Sequence, residues 1–215
     1  MSQVVFQWIE PCANPRLRWA QEELRRSVVQ HGLEPVLFPA GPELVKFRDI
    51  LQFARDRCAG PSFVWCNSDV ILRRNPFETD DGAHVHGFHR TEIPSGEICG
   101  GVDMYLIPCS VWDDWLGAET PDLWCGATHV DWWLTNAAAL RGIYRAHRGF
   151  IDHISHDTTG PSKARRDPHY RHNVRAYNGW ARRAGATEHR ERVNIPLVGE
   201  SQTPLGDLLR GCRAV

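Results

Sequence analysis

Strand-like and helix-like runs alternate from the start of this chain to residue 66, and that alternation limits the folds open to it. Val4 to Ile9 is β-rich and stops at Pro11. Asn14-Pro15 then offers a helix cap followed by proline at the first helical position. Leu17, Ala20, Leu24 and Val28 recur at helical spacing as far as Gln30, and Gly32 ends the run. Glu34 to Phe38 reads as a second strand. Leu44, Phe47, Ile50, Leu51 and Ala54 share one face of a helix spanning Glu43 to Cys58. A third strand, Phe63-Val64-Trp65-Cys66, follows Gly60-Pro61. Strand-helix-strand-helix-strand is the opening of a doubly wound α/β domain.

The third strand runs into Asn67-Ser68-Asp69 and a second apolar patch, Val70-Ile71-Leu72. Open α/β sheets bind ligands beyond the carboxyl ends of their strands, where this Asp falls. Its oxygens suit a hard cation such as Mg²⁺ or Mn²⁺, and hence a diphosphate. The tripeptide alone is equally a solvated turn.

Composition excludes some classes. The 215 residues fit one domain, or one domain with a tail; 42% are hydrophobic and 24% charged, as in a soluble globule. A net charge of −1 makes no overall case for nucleic acid or membrane. The seven cysteines, at 12, 58, 66, 99, 109, 125 and 212, form no C-x-x-C pair, which points to reduced thiols and no structural zinc. The opening MSQVVFQWIEP lacks a basic, then apolar, leader, and no run reaches membrane-spanning length, so a cytoplasmic protein is expected. Nine tryptophans offer flat surface for packing, or for sugar or base stacking.

Beyond Asp69 the pattern shortens. Asn75-Pro76, Asp80-Asp81-Gly82 and Pro94-Ser95-Gly96 separate probable strands at His84–Phe88 and Val102–Ile107. Ser110 can cap a short helix holding Val111, Trp112 and Trp115. Ala127 to Leu140 reads as a helix, and Gly142 to Ile154 as a strand that runs into His153-Ile154-Ser155-His156-Asp157. From 161 to 192 nine Lys or Arg face three acids, with Tyr170, Tyr177 and Trp180 among them; Tyr170 to Ala184 can form an amphipathic helix. Such a tract suits phosphates or nucleic acid, or is simply a solvated helix face.

Several side chains can carry chemistry. Asp69 and His156 both end probable strands and could share a cation, although one of eleven histidines says little alone. Asp131, in Thr128-His129-Val130-Asp131-Trp132-Trp133, is either a helix-dipole partner or a desolvated general base. Asp103 follows Gly100-Gly101, where a backbone can approach a ligand, or where a hairpin simply bulges. Thr158-Thr159-Gly160-Pro161-Ser162-Lys163 resembles an anion clamp but has neither Walker nor G-x-G-x-x-G spacing.

Together, Phe63–Leu72, Gly100–Trp115, Gly126–Leu134 and His153–Asp157 resemble a nucleotide-sugar-dependent glycosyltransferase of the GT-A fold, over roughly residues 4–163. The resemblance implies a single α/β domain over 1–160, with a mixed, mostly parallel sheet flanked by helices. It divides into a nucleotide-binding half, 1–75, and an acceptor-side half, 76–160, followed by a basic extension, 161–215. It also implies roles. Asp69, the last acid of a D-x-D-type motif, and His156 would hold Mn²⁺ or Mg²⁺. Asn67 would touch the ribose or a metal-bound water. Asn14 and Arg16 would meet the base or diphosphate of a UDP- or GDP-sugar donor. Lys163 and Arg165 would meet the departing diphosphate. Asp131, with Asp103 beside it, would be catalytic, Asp131 as the base of an inverting reaction. Asn67 departs from the pattern and removes one negative charge from the cation site. The acceptor would be a glycan, a small molecule or a modified nucleobase in DNA. Two other readings stand beside this one: a nucleic-acid-binding protein using 161–192, and a sugar-phosphate nucleotidyltransferase.

Overall fold

The computed structural model describes residues 2–10, 12, 14–40, 44–93, 95–96, 98–127, 129–154 and 167–186. Seven strands form one sheet: β1 (Gln3–Ile9), β2 (Glu34–Ala40), β3 (Ser62–Cys66), β4 (Val70–Leu72), β5 (Val85–Ile93), β6 (Ile98–Pro108) and β7 (Tyr144–Ile154). Their order across the sheet is β2-β1-β3-β6-β5-β7-β4. The pairs β1–β2, β1–β3 and β5–β7 are parallel; β3–β6, β5–β6 and β4–β7 are antiparallel. The expected α/β class with a mixed sheet flanked by helices is what forms.

Helix α1 (Pro15–Gln30) covers one face, where Leu24 and Val28 pack with Val4, Phe6, Val64 and Leu106. The opposite face carries α2 (Phe47–Arg57), a helical run α3 from Cys109 through a π-turn to Glu119, α4 (Val130–Leu140) and α5 (Pro168–Ala184). Phe47, Trp65, Tyr105 and Trp133 meet there, with no side-chain exposure above 2%. Burying one such side chain is worth about 1.5–3 kcal/mol, so this layer fixes where α4 begins. At the margins, β4 is only three residues long, and β2 lacks two backbone donors at Pro35 and Pro39.

Four expectations change. The helix expected over Glu43 to Cys58 forms only over Phe47 to Arg57, because Lys46 is extended and bridges to Trp124, which leaves Leu44 outside it. The turn around Ser95-Gly96 closes a hairpin and does not interrupt the sheet: Gly96 N–H donates to the Glu92 carbonyl at 2.8 Å, so β5 runs on to Ile93 and β6 starts at Ile98. The helix expected behind a Ser110 cap opens two residues earlier, at Cys109 behind Pro108. The helix expected from Ala127 begins at Val130, because Gly126 and His129 both have positive φ. Among the described residues no helix is long and apolar enough to cross a membrane.

Candidate active site

Asn67-Ser68-Asp69 leaves the carboxyl end of β3 and delivers the chain to β4, which pairs with β7 at the far margin of the sheet. The turn is tied at both ends, to the middle of β6 and to the end of β7. Asn67 N–H donates to the Asp103 carbonyl of β6 at 2.8 Å, and Ile154 N–H of β7 donates to the Asp69 carbonyl at 2.9 Å.

Side chains extend this backbone frame. Asn67 Nδ2 donates to Asp103 Oδ1 at 2.8 Å, and Arg90 NH1 donates to Asp103 Oδ2 at 3.0 Å. Arg90 Nε lies 2.8 Å from Glu92 Oε1. Glu92 Oε2 is 2.7 Å from His153 Nδ1, and His153 Nε2 is 3.3 Å from Asp69 Oδ2. A continuous chain of alternating charge thus joins Asp103 to Asp69 through two protein cations. Gly101 makes room for it: a β-carbon there would sit 3.3 Å from the Arg90 guanidinium carbon.

The electrostatics follow from depth. Burial works against a charged His153 ring, but Asp69 and Glu92 outweigh it and hold its pKa up at about 9. Burial also raises Asp103, with Arg90 offsetting part of the rise and Asp69 adding to it. Asp131 is pushed up to about 6, first by burial and then by the Asp103 charge. It stands in the first turn of α4, where Tyr105 OH donates to its backbone carbonyl at 2.9 Å. A carboxyl near 6 is ionised at neutral pH yet accepts a proton readily.

Sequence-expected residues divide into three groups. Asn67, Asp69, Asp103 and Asp131 are brought into electrostatic or hydrogen-bonding range of one another through this network. Asn14 and Arg16 lie past the end of β1; Asn14 Oδ1 accepts the N–H groups of Arg16 and Leu17 and so caps α1, while Arg16 is exposed. His156, Lys163 and Arg165 fall outside the described residues. Among the described residues the histidine that meets Asp69 is His153, which was not among the expected site residues. Arg90 and Glu92 were not singled out at all, because they lie on the part of β5 that the turn signal appeared to cut away.

No family model matches the chain, and no curated protein matches it. Among solved structures it is similar to a glycosyltransferase involved in glycosylation of the major capsid of PBCV-1, with 13% identity, TM-score 0.46, 71% of this chain and 93% of that one covered. It is similar to a mutant β-1,4-galactosyltransferase 7 of Drosophila solved with manganese, UDP-Gal and xylobiose, with 7% identity, TM-score 0.47, and 78% and 80% covered. It is also similar to HddC from Yersinia pseudotuberculosis complexed with GMP-PN, with 8% identity, TM-score 0.43, and 80% and 99% covered. Likenesses at this level carry no argument about chemistry, which rests on the residues themselves.

The fit of a cation can be tested on the geometry. Among the described residues no group of three His, Cys, Asp or Glu side chains could hold a metal by itself. Asp69 Oδ2 and His153 Nε2, however, are 3.3 Å apart. Two neighbouring ligands with bonds of about 2.1 Å are separated by roughly 3 Å. Glu92 on the other ring nitrogen is the support that a ligating imidazole usually has. The pair would hold a cation once His153 gives up the proton that Asp69 and Glu92 keep on its ring, the remaining positions being left to a ligand.

Proposed function

We propose that the chain is a glycosyltransferase that moves a sugar from a nucleoside-diphosphate sugar, of UDP or GDP type, to an acceptor hydroxyl on a glycan, a small molecule or a modified nucleobase. The observation that carries this reading is the gathering of Asp69, Asp103 and Asp131 with Arg90 and His153 at the ligand-binding end of the sheet, where burial raises the Asp131 carboxyl to about 6.

At pH 7 such a group is roughly nine-tenths ionised. It accepts the proton of the acceptor hydroxyl as that oxygen bonds to the anomeric carbon. The bond from that carbon to the diphosphate oxygen breaks on the opposite side, the diphosphate leaves with the electron pair, and the anomeric centre inverts. Asp69 and His153 would hold a divalent cation, which when bound neutralises charge on the leaving diphosphate. An imidazole ligand favours Mn²⁺ over Mg²⁺. Asn67 and Arg90 hold both oxygens of Asp103, so this buried acid keeps its place beside the base.

Thermal unfolding against UDP, GDP and their sugars, with and without Mn²⁺, tests the donor site. A ligand at a hundredfold excess over its Kd stabilises by about 2.7 kcal/mol. The expected result is a Mn²⁺-dependent shift with one nucleotide that Asp69→Ala removes, and sugar transfer that Asp131→Asn abolishes while the shift remains. Absence of any nucleotide-dependent shift would refute the reading.

A further inference from the structure

His129 is the one non-glycine residue among those described with a positive φ, 77°, and it is completely buried. A side chain in that region costs on the order of 1 kcal/mol, and such strain persists only where the surroundings enforce it. The enforcement is visible. The ring centre of His129 is 4.8 Å from that of Trp132, 5.3 Å from Tyr177 and 6.2 Å from Tyr170, so α5 packs against the entry of α4 through this imidazole. The His129 carbonyl accepts the N–H of Trp133 at 3.0 Å, which makes the strained residue the point from which the first turn of α4 hangs.

Asp131 is in that turn. Tyr105 fixes it from the sheet side through its backbone carbonyl, and His129 sets it from the helix side. The side chain of His129, the residue at the cap, makes no capping hydrogen bond, so its contribution to the helix start comes through its backbone conformation. We propose that His129 is a positioning residue: its backbone at positive φ makes the turn that aims the Asp131 carboxyl, and the packing of its ring between Trp132 and α5 offsets the strain of that turn. The role rests on Asp131 being the base of the reaction described above. A shift of about 1 Å in a reacting group costs up to roughly a hundredfold in rate.

The test compares His129→Ala with His129→Gly. Alanine loses the ring and resists positive φ, whereas glycine loses the ring and keeps that φ without strain. Expected for alanine is a fall in kcat of about a hundredfold with donor KM nearly unchanged. The acid limb of its pH–rate profile should also move down from about 6 as the carboxyl turns to water. Glycine should restore kcat to within about fivefold of the parent and return the limb. Glycine falling as far as alanine, or alanine keeping the parent's kcat and limb, overturns the proposal. Should His129→Ala not fold, His129→Asn against His129→Ser makes the same comparison, because asparagine tolerates positive φ and serine much less. Carboxyl ¹³C NMR of Asp131 in the free variants gives a readout independent of activity: an Asp131 titration unchanged in alanine overturns the proposal, and one displaced in alanine and restored in glycine supports it. If the parent transfers no sugar at all, the proposed function fails while the NMR comparison still decides the role of His129.

Discussion

Replacing Asn67 by Asp would complete a D-x-D tripeptide, and the geometry predicts that it harms the protein. Asn67 Nδ2 donates to Asp103 Oδ1 at 2.8 Å, a bond an ionised carboxylate cannot make. Losing a hydrogen bond to a charged group costs about 1.5–3 kcal/mol. Two like charges at that separation would repel by about 6 kcal/mol at an effective dielectric of 20. The pair has a less costly response, which is to share one proton. Protonating a carboxyl with an ordinary pKa at pH 7 costs about 4 kcal/mol, and the acid O–H can then donate to Asp103. The expected loss is therefore about 2–4 kcal/mol at pH 7. Its sign with pH follows from linkage: the folded variant binds a proton more tightly than the unfolded chain, so the deficit is full above the raised folded pKa and closes as pH falls towards about 4. Urea unfolding of Asn67→Asp and parent at pH 7 and pH 4.5 measures both. Equal stability at pH 7, or a deficit that widens on acidification, would refute the argument.

Other outcomes follow from the same geometry. Asp131 has a raised folded pKa of about 6, so it lowers stability above that pH. Asp131→Asn should be more stable than the parent at pH 8, by up to about 3 kcal/mol, with the gap closing by pH 4 in denaturant titrations. The kcat/KM profile of the parent should fall below pH 6 with unit slope, and Asp131→Asn should lose at least about a hundredfold in kcat. Gly101→Ala would press a methyl group against the Arg90 guanidinium, so it should lower transfer activity and raise the Asp103 pKa, read by carboxyl NMR. His153→Ala should abolish any Mn²⁺-dependent nucleotide shift in thermal unfolding, whereas Arg16→Ala, exposed on α1, should leave the fold's stability within about 0.5 kcal/mol of the parent.

The alternation of periods two and 3.6 in residues 4–66 was enough to foresee three strands and two helices, because each element there faces one way and is cut off by proline, glycine or an asparagine cap. Asp69 and Asp131 were legible as acids at element ends, and Asp103 as an acid behind a pair of glycines. The cations between them were not. Arg90 and Glu92 stand on a strand extension beyond two register shifts at His89, where alternation no longer tracks the face. Their partners come from other strands, and strand order is not written in local pattern. The meeting of His153 with Asp69 depends on the register of β7 against β4, where Val70 pairs with His153. The strain at His129 was equally hidden, since a histidine gives no sign of its φ without the packing that imposes it.

The margins of the sheet limit how this chain can meet other chains. One outer strand is missing two amide protons at Pro35 and Pro39, and the other is three residues long. The β2 edge is therefore a poor row of donors and acceptors for a further strand to zip onto. On the other side β4 covers only Ile151 to His153 of β7, so among the described residues Tyr144 to Gly149 pairs with β5 alone. Strand addition by a peptide or a second copy is thereby confined to that one stretch of β7.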